Sequence, residues 1–288
     1  MKSLKKNSKK ILLLLIFLVI LCGCAKTTGE DGKILPEKII YSETTFKEML
    51  TNDNWFTAIF VYPIAQVINF FAAKTGVVMA VIIAAVLVNL ILLPLTIKST
   101  ASTQKMQALQ PEIQKIQKKY EGRDDQGSKL FMAQELQTLY NKNKVSPMGS
   151  FIGLFLTLPM LIAMLQAVNR SNAVLTGTFL GYDLQASMKD WFAAGGKIRI
   201  AFIVIILLLV STQYLSMSIP RWMANASIPD YKRTREDESQ HVTNLTMVIV
   251  VSLMALSMPT ALSIYWIISS TINILKTVAI QKLVVDKE

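Results

Sequence analysis

The chain has 288 residues, of which 52% are hydrophobic and 17% charged, and its mean hydropathy is positive, +0.42. That balance excludes an ordinary soluble enzyme domain and fits a chain dissolved largely in lipid. The formal charge is +11, but five of the positive charges are lysines crowded before residue 11, and without them the excess is +6.

The first stretch, MKSLKKNSKKILLLLIFLVILCGC, places those lysines ahead of an apolar run from Ile11 to Leu21 and ends at Cys24. This is the layout of a secretory signal peptide over residues 1–23. A small residue, Gly23, directly before a cysteine resembles a bacterial lipobox, in which Cys24 is acylated on sulfur and becomes the mature N-terminus; Cys22 is unusual at its place in such a box. The alternative is an uncleaved anchor helix, and either arrangement puts the next segment outside the cell. Cleavage after Gly23 also removes Cys22, so neither a disulfide framework nor a cysteine metal site is expected.

Residues 24–54 are mixed and weakly patterned, and read as a lipidated external tether. In the following NWFTAIFVYPIAQVINFFAAK, Phe56, Phe60, Ile64, Val67 and Phe71 recur at helical spacing and end at Lys74. The stripe predicts an amphipathic helix over 55–74 lying in the outer membrane interface, or alternatively a packed cap on the bundle.

A span needs about 20 apolar residues to cross roughly 30 Å of hydrocarbon. Charge-free windows of that kind cover Thr75–Ile97, Val145–Asn169 and Ile200–Pro220, and a fourth runs from Val242 to Leu275 with Pro259 near its centre. As one helix the last window would be about 51 Å long at 1.5 Å per residue, too long for a single span. It reads as two short helices meeting at SMPTA, the second passing Lys276, whose stem can snorkel to the interface. Five spans result, over 75–98, 145–169, 200–220, 241–258 and 259–281, with an external loop over 170–199 and a tail over 282–288. The 98–144 segment carries nine Lys or Arg against three in 169–198, so the positive-inside rule places the former, the 221–240 loop and the C-terminus in the cytoplasm.

The loop over 99–144 differs in kind. MQALQPEIQKIQKKY sets Met106, Leu109, Ile113, Ile116 and Tyr120 at spacings of three and four, and KLFMAQELQTLYNK does the same with Met132, Leu136, and Leu139 or Tyr140. With EGRDDQGS as the connection, these predict a cytoplasmic antiparallel helical hairpin. Pro111 has no amide donor, so it should kink the first helix or begin it afresh.

LILLPLTIKSTASTQKMQALQPEIQKIQKKY resembles the first span and following loop of the YidC/Oxa membrane protein insertases. PMGSFIGLFLTLPMLIAMLQAV is similar to the family's second span with its internal Pro159, STQYLSMS to the end of the third, and SMPTALSIYWIISSTINILKT to the last. The likeness covers about residues 55–282, and the lipobox fits the Gram-positive lipoprotein form. It implies an all-α polytopic membrane protein, with five spans around a polar groove that opens to the cytoplasm and to lipid. It also implies a function: accepting hydrophobic segments of nascent membrane proteins and releasing them into the bilayer, alone or with the Sec channel, without nucleotide. Such a groove lowers the cost of moving polar groups past hydrocarbon.

Asn89 interrupts the aliphatic first span where the family usually holds an arginine, and no ionisable residue lies between Thr75 and Ile97. An amide keeps donors and an acceptor but loses the long-range attraction for carboxylates. Asn89 therefore reads either as the lining of a neutral groove or as interhelical glue worth about 0.6 to 2 kcal/mol. Gln213, Tyr265 and Trp266 sit at positions similar to groove-lining residues of the family. Thr157 and Gln166 are further polar candidates in the second span, and for all of these the alternative is interhelical bonding or an interfacial anchor.

Other chemistry is not indicated. The sequence has no GxxxxGK phosphate loop, no His, Cys or carboxylate cluster at metal-ligand spacing, and a single histidine, His241. No enzyme activity and no cofactor are expected. The 221–240 segment is mixed in charge and KLVVDKE is short, so contact with a ribosome would rest on the hairpin and loops; no dedicated nucleic-acid module is seen. The competing readings are an assembly chaperone beside the Sec channel, and a small transporter, for which paired ionisable residues in spans or repeated halves would be expected.

Overall fold

The computed structural model describes residues 34–226 and 238–285, together with Thr27 and Gly29. The signal sequence and Cys24 lie outside the described residues. Among the described residues the regular elements are helices and one hairpin of two two-residue strands, and the chain divides into two units. The first takes in the described residues up to Asn89, Phe155–Leu209 and Leu253–Ile268; the second takes in Leu90–Leu154, Val210–Ser252 and the residues from Ser269 onward.

In the first unit, the segment expected to be a mere tether is docked. Ile40 is wholly buried and exchanges main-chain bonds with the end of another helix: its N–H donates to the Arg170 carbonyl (2.7 Å), and its carbonyl accepts from Asn172 N–H (3.0 Å). A helix α1 (Phe46–Asn52) follows, started by a capping box in which Thr45 and Glu48 satisfy each other's free amides. Next come a π turn, Thr57–Val61, and α2 (Tyr62–Thr75). Phe56 and Ile64 of the expected stripe are buried, as are Ala58, Val61, Ala65 and Ile68 beside them, while Phe60, Val67 and Phe71 are only half-buried. The helix is thus rotated by about one residue, with small alanines inside and Asn69 turned inward. The Asn69 amide donates to the Ile40 carbonyl (2.8 Å), and its oxygen accepts from Ser171 Oγ (2.7 Å) and Ala173 N–H (3.0 Å). These three bonds need the inner face, and they fix the rotation.

Gly76, at φ +83°, ends α2 in a conformation that a side chain would strain and lets α3 (Val77–Ala108) begin at once. Ala80, Val81, Ala84, Ala85 and Val88 are buried at helical spacing, whereas Leu87, Leu90, Ile91 and Leu95 are exposed. An apolar outward face with small residues inward is the pattern of a helix solvated by lipid. The helix passes through Pro94 and runs without a break to Ala108, beyond the expected end of the first span.

After α6 (Pro147–Arg170) and a single turn α7 (Asn172–Leu175), strands β1 (Thr178–Phe179) and β2 (Tyr182–Asp183) pair across Leu180-Gly181. Both turn residues have positive φ, the twist that suits a two-residue hairpin. Then come α8 (Met188–Ala194), α9 (Gly196–Ala226), α10 (Glu238–Ser257) and α11 (Thr260–Ile280). The last two meet at Met258-Pro259, where the sequence places the break. The loop pins this junction: Thr260 N–H (3.1 Å) and Oγ1 (3.0 Å) both donate to the Ala186 carbonyl, and Ala261 N–H donates to that of Leu184. Beside it Trp191, Met188 and Ile205 form a buried cluster, with Phe179 stacked on Trp191 and the indole N–H on the Asp183 carbonyl.

By length and composition, four helices among the described residues can cross a membrane: Thr57–Thr75, Val77–Ala108, Gly196–Met223 and Thr260–Leu283. The set includes the helix expected in the interface. Of the expected second span, several side chains lie outside the description, and the apolar part of α10 is the shorter Leu245–Ser257.

The second unit contains the hairpin. Helix α4 (Gln110–Lys119) starts afresh with Pro111 in its first turn, and α5 (Gln126–Lys142) packs on it, capped by Asp125 on Ser128 N–H. Ile113 is buried, and the rest of both stripes is half-buried. The helices are clasped by Glu135, which accepts from Lys119 Nζ and Tyr120 Oη. The Lys119 bond, and then that of Tyr120, hold the Glu135 carboxyl below its ordinary value, while the bond to Glu135 raises Lys119. A depressed acid stabilises fully above its unfolded value and a raised base fully below its own. The clasp should therefore be constant between the ordinary values 4.5 and 10.5, weakening as pH falls below the first or rises above the second. Amide exchange along α5 measures this. Glu135→Gln should remove the acid limb, and a loss of protection between those limits in the native chain would count against the clasp. Exposure to water keeps the effect small.

Also in this unit, Gly149 and Gly153 let α6 approach α3 closely. A Cβ at Gly153 would stand 2.4 Å from Ser99 Oγ, and one at Gly149 would stand 2.8 Å from Ser102 Oγ. Ser102 Oγ donates to the Ser146 carbonyl (3.0 Å), and the buried Gln104 amide donates to the Thr277 carbonyl of α11 (2.8 Å).

Candidate functional site

Asn89 is half-buried on α3, between buried Val88 and exposed Leu90. Its amide donates one of its two hydrogens to the Ala85 carbonyl one turn earlier (2.9 Å), within its own helix. The amide oxygen keeps acceptor capacity, and a neutral acceptor in an apolar setting favours a partner that brings an N–H or O–H.

Gln213 belongs to the other unit. Its Oε1 accepts from Ser270 Oγ (2.9 Å), which joins α9 to α11. Its amide hydrogens remain for other partners. Tyr265 is buried at the end of an enclosed run that begins at Thr260, while the adjacent Trp266 is half-buried. Neighbours on a helix point about 100° apart, so one of the pair faces the packed interior.

Thr157 is exposed and Gln166 buried, both on α6. Nine residues at about 100° each put them on opposite sides of the helix, so the two do not share one cavity wall. Asn89, Thr157, Gln166, Tyr265 and Trp266 lie in the first unit. The His241 side chain lies outside the description, and among the described residues no three His, Cys, Asp or Glu are grouped to hold a metal.

Sequence reasoning passed over the polar groups that the structure buries most deeply. Arg170 is wholly buried, with Nε donating to the Lys38 carbonyl (2.7 Å) and Nη2 to Asp53 Oδ2 (2.6 Å). A lone arginine closing an apolar run was the available signal, and the Gly149–Gly153 spacing was another.

These features define the class: a polytopic α-helical membrane protein whose apolar helices carry isolated amides and hydroxyls. The model of the 60Kd inner membrane protein family matches residues 67–287, and the chain belongs to that family. Membrane protein insertase YidC 2 of Listeria innocua is 28% identical over 285 residues, covering 97% of this chain and 86% of that protein. Membrane protein insertase YidC of Oceanobacillus iheyensis is 30% identical, covering 85% and 92%. Membrane protein insertase YidC 1 of Lactococcus lactis is 33% identical, covering 75% and 72%. A crystal structure of an active YidC insertase with its first transmembrane domain resolved matches with a TM-score of 0.53 at 21% identity. The match covers 77% of this chain but 46% of that one, so the chain spans less than half of the solved protein, and the likeness is one of fold.

Proposed function

We propose that this chain is a membrane protein insertase and chaperone: it receives hydrophobic segments of nascent proteins in a cytoplasm-open polar groove and releases them sideways into the bilayer. The observation that carries the reading is the likeness, along nearly the whole chain, to proteins named as insertases. Asn89 is the groove residue of first choice, its free acceptor meeting donors on a passing chain. In this reading five spans enclose the groove, the N-terminal side is external and lipid-anchored through Cys24, and the C-terminus is cytoplasmic. Residues 55–74 form the outer interfacial helix. Clients enter from the ribosome, directly or by way of the Sec channel, and no catalysis or cofactor is required.

The test is complementation of cells depleted of their own insertase, with the native chain, Asn89→Arg and Asn89→Leu at matched expression. One acidic-tailed and one neutral-tailed small membrane protein serve as clients. Asn89→Arg should improve the acidic client alone, since a cation adds attraction for carboxylates. Asn89→Leu should impair both. Identical behaviour of all three chains would reduce Asn89 to packing, and a native chain that inserts neither client would move the Sec-associated assembly chaperone to the front.

A further inference from the structure

The second unit holds a cleft of about 390 Å³ between the far part of α3 and the end of α11. Leu93 and Ile97 line one side, and Ile272, Ala279 and Leu283 line the other. One cation, Lys276, enters this aliphatic wall, half-buried, and no described residue forms an ion pair or hydrogen bond with its ammonium. An ammonium against hydrocarbon needs an anion or water at its head. Lys276 lies seven residues before Leu283, the end of the membrane-length stretch Thr260–Leu283. That is about 10 Å of helix, a depth from which a lysine stem reaches the interface.

A slot for hydrocarbon with one cation near its mouth matches a two-part ligand whose apolar chain and anionic head are joined. Lys98, next to Ile97, and Lys282, next to Leu283, are both exposed and raise the positive potential at the same end of these helices. That potential favours a lipid with net negative charge over a zwitterionic one. We propose that the cleft is a binding site for an anionic phospholipid, its phosphate on Lys276 and one acyl chain along Leu93, Ile97 and Ile272. The site requires no insertion activity, and its test is separate from that of the groove.

The full chain is reconstituted in vesicles holding equal amounts of phosphatidylglycerol and phosphatidylcholine, then released for native mass spectrometry. The ratio of the two lipids retained is read within each sample, which makes it independent of folded yield. The native chain should retain phosphatidylglycerol preferentially. Lys276→Gln should lower that preference by about tenfold, the effect of one charge-assisted contact, and Lys276→Arg should keep it. Ala279→Phe fills the slot and should reduce retention of both lipids. Equal retention of the two lipids by the native chain, an unchanged ratio in Lys276→Gln, or unchanged retention in Ala279→Phe would each overturn the assignment.

Discussion

Replacing Arg170 with methionine is expected to lower stability by about 3–5 kcal/mol, the usual cost of removing one partner of a buried ion pair. The Asp53 carboxylate, 3% exposed, would be left without the guanidinium 2.6 Å away. Lys38 Nζ, at 3.7 Å and partly exposed, is a poor substitute. The loss should also be local in a particular way. Arg170 Nε holds the Lys38 carbonyl, and the Arg170 carbonyl holds Ile40 N–H, so the segment 38–53 depends on the end of α6 for its first anchors, with Gln66 and Asn69 of α2 holding the carbonyls of Ile40, Tyr41 and Thr44. Limited proteolysis should cut that segment before the bundle unfolds. The double variant Arg170→Met with Asp53→Leu should recover much of the thermal midpoint, because an apolar pair of similar volume often replaces a buried ion pair without loss. A double variant no better than the single one would refute the argument from the unpaired carboxylate.

Gly153→Ala should have the next largest effect. The added methyl carbon would stand 2.4 Å from Ser99 Oγ and 3.2 Å from Ser99 Cβ. The hydroxyl can rotate away, but the Cβ can retreat only if the helices part. Overpacking of this kind costs about 1–3 kcal/mol. Adding Ser99→Gly removes both obstructing atoms and should restore most of the loss, read as the midpoint of thermal unfolding in detergent. If Gly153→Ala melts like the native chain, the close approach of α3 and α6 is not the constraint described.

The sequence made the local devices legible. Pro111 restarts a helix because a missing amide hydrogen has the same consequence in any context. Pro259 separates α10 from α11 for a similar reason, since 34 unbroken residues exceed the bilayer. The stripes of the hairpin packed as their spacing required. What escaped was contact between residues far apart in the chain. Ile40 pairs with residues 130 positions later through main-chain groups, which leave no mark in side-chain pattern. The rotation of α2 followed from Asn69, whose three partners lie in two other segments. Gln213 found Ser270, 57 residues away, while Asn89 turned back on its own helix, and residue type alone does not separate these outcomes. The opposition of Thr157 and Gln166 needed only their spacing.

The fresh start at Pro111 has a mechanical consequence. The ladder of α3 closes with Leu109 N–H on the Lys105 carbonyl, and that of α4 opens with Glu112 and Ile113 N–H on the Leu109 carbonyl. The bond that would have bridged them, from residue 111 to Gln107, has no hydrogen to form it. Rotation about this joint therefore breaks little, whereas rotation anywhere inside α3 breaks several bonds at once. The 10 residues of α4 put the hairpin's tip about 15 Å from this joint, and the return of the chain is tied by Ser102 Oγ on the Ser146 carbonyl, so the tip swings through a short arc between two anchors.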